Sequence, residues 1–366
     1  MAGSSFGKCF TVTTWGESHG AALGAVVDGC PAGLLLTEHE IQRYLDRRKP
    51  GQTDISTPRK EADQVRILSG VFEGRTTGTP ISLMIENTSQ KSKDYSEIAS
   101  YYRPGHADFT FDAKYGFRDY RGGGRSSGRE TAGRVAAGAV ALSFLNELGI
   151  SVCACTKAIG PVTVPDGCYH RDAVLQTPTA MPDYESSKKA EVWLQNCMLE
   201  KDSAGGVIEC LIDGLPAGIG ETVFDKLDAC LGKAILSIGA VKAFEIGDGF
   251  RAAQAKGSAN NDAFIMRNGS VEKQSNHAGG ILGGMSDGSS VILRAYIKPT
   301  PSIFQEQETV NKDGENITVQ IKGRHDPVIV PRAVVVVEAM AALTVADLLL
   351  QNMHARLDRI KDFYKR

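Results

Sequence analysis

An eight-residue turn occurs twice in this chain. Val27-Asp28-Gly29-Cys30-Pro31-Ala32-Gly33-Leu34 is echoed by Ile212-Asp213-Gly214-Leu215-Pro216-Ala217-Gly218-Ile219, about half the chain length later. Each copy follows a strand-like run, 22–29 and 206–213, and precedes a helix-like stretch, 38–48 and 222–234. One short turn can recur by chance. The alternative is two related halves around a pseudo-two-fold axis, with a ligand site between them. No short tandem repeat of the solenoid kind is present.

The pattern between these turns mixes strands and helices. Thr37 and Glu40 have capping-box spacing, and Ile41, Tyr44, Leu45 and Arg48 share the face of a helix that Lys49-Pro50-Gly51 stops. Residues 50–64 are polar and broken by Pro58, which predicts a surface loop carrying Arg59 and Lys60. Ile81–Glu86 predicts a strand, as do 152–163, 206–213, 241–246, 289–298 and 317–322. Residues 87–120 lack periodicity but hold many aromatics, among them Tyr95, Tyr101, Tyr102 and Phe109, so a functional loop is expected rather than disorder. Pro331 predicts a long helix through Asn352, although Val334–Val337 would also suit a strand. Glu338 and Asp347 interrupt its apolar run, which argues for a buried helix and against a membrane span.

Residues 121–135, RGGGRSSGRETAGRV, carry the strongest chemical signal. Ser127 and Glu130 have capping-box spacing for a helix over 128–148. Glycines let backbone N–H groups approach a ligand, the helix mouth adds positive potential, and Arg125, Arg129 and Arg134 can fork around phosphate oxygens. Further loops bear polar side chains: Gly16-Glu17-Ser18-His19-Gly20, Arg103-Pro104-Gly105-His106-Ala107-Asp108, residues 274–284, residues 297–302, and Gly323-Arg324-His325-Asp326-Pro327. His19 suits a general acid with its tautomer held by Ser18 or Glu17; an exposed turn explains the same residues equally well.

Composition narrows the classes. A formal charge of −2 argues against a bulk nucleic-acid binder, despite RGGGR and the aromatics of 101–120. No Walker lysine motif supports a phosphotransferase. The eight cysteines include no CxxC pair and no zinc spacing, so no metal is expected, and reduced thiols in a cytoplasmic or stromal protein are. Residues 1–20 lack the apolar core of a signal peptide.

Together these loops resemble the chorismate synthase family. GESHG at 16–20, RSSGRETAGRVAAGAV from 125, and GRHDP through VVEAMAAL at 323–343 are similar to its three signature regions, with RPGHAD, RDYRGGGR, QSNHAGGILGG and KPTPS in the expected order between residues 6 and 352. The resemblance implies an α/β fold, a β-α-β sandwich with internal pseudo-two-fold symmetry. It implies one domain over 1–366 with halves of roughly 6–190 and 191–352. The implied activity is a carbon–oxygen lyase: anti 1,4-elimination of phosphate from 5-enolpyruvylshikimate 3-phosphate to chorismate, requiring reduced FMN, with NADPH a candidate indirect reductant. It also implies a homotetramer.

By matching positions, His19 would protonate the departing phosphate with Ser18 as relay. His106 would sit near the flavin pyrimidine edge, and Asp326 would help the reactive flavin nitrogen take the substrate proton. Arg48, Arg129 and Arg134 are implied for substrate anions. Arg125, Ser126, Ser127, Gly239, Ala240, Gly283, Lys298, Pro299, Thr300, Pro301, Ser302 and Arg324 are implied for FMN. The sequence departs from the family at Asp54, where relatives carry a basic residue, at Gly128 for the usual alanine, and at Gly239 for asparagine.

Overall fold

The computed structural model describes residues 3–51, 61–88, 97–267, 269–321 and 326–365. Arg324, Asp54, Arg59, Lys60 and Tyr95 lie outside them.

Two five-stranded sheets form the outer layers. The first has the order β1 (Ser5–Phe6), β2 (Thr11–Gly16), β3 (Ala22–Asp28), β7 (Ile81–Glu86), β4 (Val65–Ile67), with the small hairpin β5 (Val71–Phe72) and β6 (Arg75–Thr76) leading into β7. The second reads β9 (Val162–Thr163), β8 (Ser151–Ile159), β10 (Gly206–Asp213), β16 (Val291–Ile297), β11 (Val241–Ile246). Three hairpins lie outside it: β12 (Phe264–Arg267) with β13 (Ser270–Lys273), β14 (Ile281–Leu282) with β15 (Met285–Ser286), and β17 (Glu306–Val310) with β18 (Asn316–Gln320). All of these strand pairs are antiparallel. The second sheet repeats the order of the first when β8, β10, β16 and β11 stand for β2, β3, β7 and β4.

The turn echo has a structural counterpart. Thr76 Oγ1 donates to Pro31 O (2.6 Å) and accepts from Leu34 N (3.0 Å), while its carbonyl accepts from Gly33 N (2.8 Å). Ser286 makes the same three bonds to Pro216 O (2.6 Å), Ile219 N (2.9 Å) and Gly218 N (2.7 Å). A hydroxyl from a following hairpin thus satisfies each proline-bearing turn in the same way.

Helices α1 (Glu38–Arg48), α3 (Thr131–Glu147), α6 (Leu227–Leu236) and α9 (Val330–Asn352) fill the middle layer; α2 (Asp108–Tyr115), α4 (Arg171–Gln176), α5 (Tyr184–Leu199), α7 (Phe250–Gln254), α8 (Gly257–Asn260) and α10 (Leu357–Tyr364) complete the set. Thr37 caps α1 with both capping-box bonds in place. Strand alternation turns Ile81, Leu83 and Ile85, and Val291, Leu293, Ala295 and Ile297, toward this layer. Helix α3 packs on β3, β7 and α9, and α9 packs on β8 and β10, so both are apolar around their circumference. Residues 334–337 are helical, because burial between two sheets outweighs the weak helix propensity of valine. The polar breaks in α9 are satisfied: Glu338 accepts from Ala154 N (2.8 Å) and both guanidinium arms of Arg47, and Asp347 Oδ1 accepts from the backbone N–H of Lys8, Cys9 and Phe10 at 2.9, 2.6 and 2.9 Å.

Small residues set the helix spacing. A Cβ on Gly138 would lie 2.3 Å from Cβ of Ala339, and one on Gly133 would lie 2.7 Å from the carbonyl oxygen of Gly24. Gly138→Ala is therefore expected to destabilise the protein by about 1–3 kcal/mol through overpacking. Gly128→Ala, made where a Cβ meets nothing within 4 Å, should stay within about 0.5 kcal/mol. Thermal unfolding of both variants checks the pair.

Candidate active site

The connections β7 to α3 and β16 to α9 hold most of the expected residues, and they pack on each other. Lys298 Nζ donates to Gly105 O (2.8 Å), and His106 Nε2 lies 2.9 Å from Ser302 Oγ. Tyr102 N donates to Val310 O (3.2 Å) and Thr309 Oγ1 donates to Tyr102 O. His106 Nδ1 lies 2.9 Å from Pro104 O, which can only accept. Nδ1 therefore carries the proton, and in the neutral ring Nε2 accepts from the Ser302 hydroxyl. A buried bidentate pair, Arg103 to Asp108 at 2.8 and 2.9 Å, braces this turn at the start of α2. That helix was not legible in a stretch without periodicity. Lys298 N in turn donates to Ala240 O (3.0 Å), and burial, then the nearby Lys242, lowers the Lys298 ammonium below the usual lysine range.

His19 sits at the other side of the α3 mouth. It is buried, and its Nδ1 lies 3.2 Å from Ser18 Oγ. Ser18 donates to Gly122 O (3.3 Å), so its oxygen is left to accept from Nδ1–H. Asn87 ties the loop by donating to Glu17 O (2.9 Å) and Gly20 O (2.8 Å). Gly122, at φ 67°, closes over the imidazole: a Cβ there would be 2.2 Å from His19 Cε1.

Arg48 and Arg129 come together around one carboxylate. Asp63 Oδ2 accepts from Arg48 Nη2 (2.7 Å) and Asp63 Oδ1 from Arg129 Nη1, while Glu61 pairs with Arg129 at 2.9 Å. Burial pushes the Asp63 carboxyl up, but Arg48 and Arg129 outweigh it and hold it below the usual range; burial likewise pushes Arg48 down against the pull of Asp63. The expected surface loop over 50–64 is corrected here for its last residues. Glu61 and Asp63 are buried, since their charges meet guanidiniums instead of water.

Other expectations are also revised. Residues 128–130 form a 3-10 turn and α3 begins at Thr131. The Ser127–Glu130 capping box does not form: Ser127 Oγ accepts from Arg129 N (3.3 Å), and Glu130 pairs with Arg134 one turn later (2.8 Å). Arg125 is committed to Thr14 and Gly16 at the end of β2 (2.6–3.2 Å), and Ser126 Oγ donates to Gly123 O (2.7 Å). Arg134 reaches Ser237 (2.6 Å), beside Gly239 and Ala240, rather than joining Arg48 and Arg129. Asp326 pairs with Arg332, whose Nε donates to Arg48 O (3.0 Å), so it is linked to the arginine pair. Asp326 also lines a cavity of about 120 Å³ with Ser302, Ser203 and Lys201. Gly283 lies on the β14–β15 turn, where the neighbouring Gly284 packs on Glu221 and Lys226 and accepts from Leu227 N (2.7 Å).

The segments leading into α3 and α9, with the His19 loop and the end of α1, thus gather two imidazoles, paired guanidiniums and a lysine: the equipment of an enzyme that handles protons on an anionic small molecule. A family model described as chorismate synthase matches residues 10–350. Chorismate synthase of Agathobacter rectalis is 65% identical over 366 residues, covering 100% of both chains, and that of Methanosarcina mazei is 52% identical over 355 residues, covering 96% of this chain and 97% of the relative. A crystal structure of chorismate synthase aligns with TM-score 0.78 and 31% identity over 98% of each chain. The chain belongs to the chorismate synthase family, whose members are lyases.

Asp63, Asn87, Arg332 and the Arg103–Asp108 pair escaped the sequence reading because nothing in their spacing announces the contacts they make. Two predictions arise. Gly122→Ala should reduce kcat by about 10²-fold by displacing the imidazole, with about 1–3 kcal/mol of backbone strain at most; kinetics beside thermal melts check it. Burial pushes Asp108 up and the Arg103 bonds more than reverse it, so its folded pKa is lowered. Its contribution is fully present above about pH 4 and disappears as pH falls through the lowered value. The stability gap between wild type and Asp108→Asn should narrow across that acid window, measured as midpoint against pH.

Proposed function

We propose that this protein converts 5-enolpyruvylshikimate 3-phosphate to chorismate and phosphate by anti 1,4-elimination, with reduced FMN bound in the same chamber. The observation that carries the reading is two sets of contacts among the expected groups, His106–Ser302, Gly105–Lys298 and Lys298–Ala240 on one side and Asp326–Arg332–Arg48–Asp63–Arg129 on the other, which meet where Ser302 and Asp326 line one cavity.

The chain's own residues meet the demands of that reaction. The substrate bears two carboxylates and a phosphate, and Arg48 and Arg129 are buried cations with fixed heads, suited to such oxygens. Ser18 accepts the Nδ1–H of His19, so in the imidazolium form the second proton, on Nε2, is the one placed to go to the departing phosphate. His106 is held at both nitrogens and keeps one proton at Nδ1. Asp326 lines one cavity with Ser302, the partner of His106, and would help the reactive flavin nitrogen take the substrate proton.

The residues expected to hold FMN fit a flat ligand bearing a phosphate. Thr300 Oγ1 is buried with no hydrogen-bond partner among the described residues, and a Cβ at Gly239 would meet none of their atoms within 4 Å. Lys298, Thr300, Ser302, Gly239 and Ala240 would hold it. The flavin would supply an electron to the substrate as phosphate leaves and recover it afterwards. We extend the proposal to two related halves, 6–190 and 191–352, to a homotetramer, and to Gly283 as a further FMN contact.

Anaerobic turnover with chemically reduced FMN should yield chorismate and one phosphate. His19→Ala and His106→Ala should lose about 10²–10⁴-fold in turnover while still binding flavin and substrate. Near-normal activity in either variant removes that residue's role. Running the assay aerobically with NADPH and oxidised FMN separates an enzyme that reduces its own flavin from one that does not.

A further inference from the structure

We infer that Asp63 is a positioning residue that sets the spacing and orientation of the two substrate-binding guanidiniums; this rests on the reading of Arg48 and Arg129 as anion ligands. Its side chain has no exposed surface, and each carboxylate oxygen takes one arginine. One rigid group therefore fixes the separation of two like charges that would otherwise repel. Each guanidinium is also pinned elsewhere. Arg48 Nη1 donates to Gly128 O (3.2 Å) and Thr131 Oγ1 (3.3 Å), and Arg129 Nε donates to Asn87 Oδ1 (3.0 Å). Both heads are thus locked before any ligand arrives.

A buried carboxylate beside an anion site could instead compete with the anion. Two observations favour positioning. Asp63 cannot swing aside easily: its carbonyl is tied to Gln42 Nε2 (3.3 Å), Gln42 Oε1 accepts from Val65 N (3.1 Å), and its own backbone is at φ 48°. Asp63 leaves donor capacity unused, since Arg48 Nε is buried without a partner among the described residues. That orphaned N–H is a donor for an incoming oxyanion, and a protein that needed only a neutral, closed ion cluster would leave no such donor open. The two effects also have opposite signs in an experiment. Loss of a competitor tightens substrate binding, and loss of a positioner weakens it.

The test is steady-state kinetics with 5-enolpyruvylshikimate 3-phosphate on Asp63→Asn and Asp63→Glu, each first checked for native circular dichroism. Asn keeps the shape without the charge, and Glu keeps the charge on a longer arm. If Asn does not fold, Glu decides alone. Both should raise KM by about ten-fold or more, the scale of a misdirected charge-assisted bond, with kcat changed by no more than about threefold. Adding Asp63→Asn to Arg129→Lys should raise KM little further, because the two act as one unit. An unchanged or lowered KM, or fully additive losses, overturns the inference. Arg48→Lys and Arg129→Lys are measured alongside: if neither raises KM, the assignment of these arginines to the substrate has failed, whatever Asp63 does.

Discussion

The close crossing of α3 and α9 governs the rest of the molecule. Gly138 and Ala339 bring the two helices together, and Gly133 brings α3 down onto β3. Each helix is buried on all sides between the sheets, so neither can shift without opening the core. The segments that enter these helices inherit that rigidity. Their contacts, Lys298 with Gly105 and Ser302 with His106, are made by loops whose far ends are anchored in the stiffest part of the protein. Irregular loops can in this way hold groups to the tolerance that proton chemistry needs.

Charge at the site is balanced internally. Arg48 and Arg129 face Asp63 and Glu61, Arg134 faces Glu130, and Arg332 faces Asp326. Burying cations without partners would cost far more than the fold could offset. The carboxylates make the arginines tolerable in the absence of an anion, and they dictate where each guanidinium plane lies. A polyanion entering such a site meets donors already aimed, at the expense of weaker net attraction. Pre-orientation is favoured over raw potential.

The fold was legible where periodicity was strong. The capping box at Thr37, the strands β7, β10 and β16, and the proline start of α9 all read correctly because local chemistry and tertiary packing agree there. Val334–Val337 was ambiguous because burial, not propensity, decides it. The Ser127–Glu130 box misled because Arg134 offers Glu130 a charged partner one turn away. The histidine loops were visible as glycine-flanked polar clusters. Asp63 was not, since a buried carboxylate in a polar loop looks like any solvated one until its two arginines, distant in sequence, are placed around it.

The carboxylate of Asp347 grips three consecutive amides at Lys8, Cys9 and Phe10, fastening the segment before β2 to a helix far along the sequence. Helix α9 is also the slab on which α1, α3, α6 and β8 rest. A nascent polypeptide emerging from the ribosome must therefore wait for α9 before this interior can close. Until α9 has been made, the flanks of α3 stay wet and adhesive, which makes its arrival the moment of commitment.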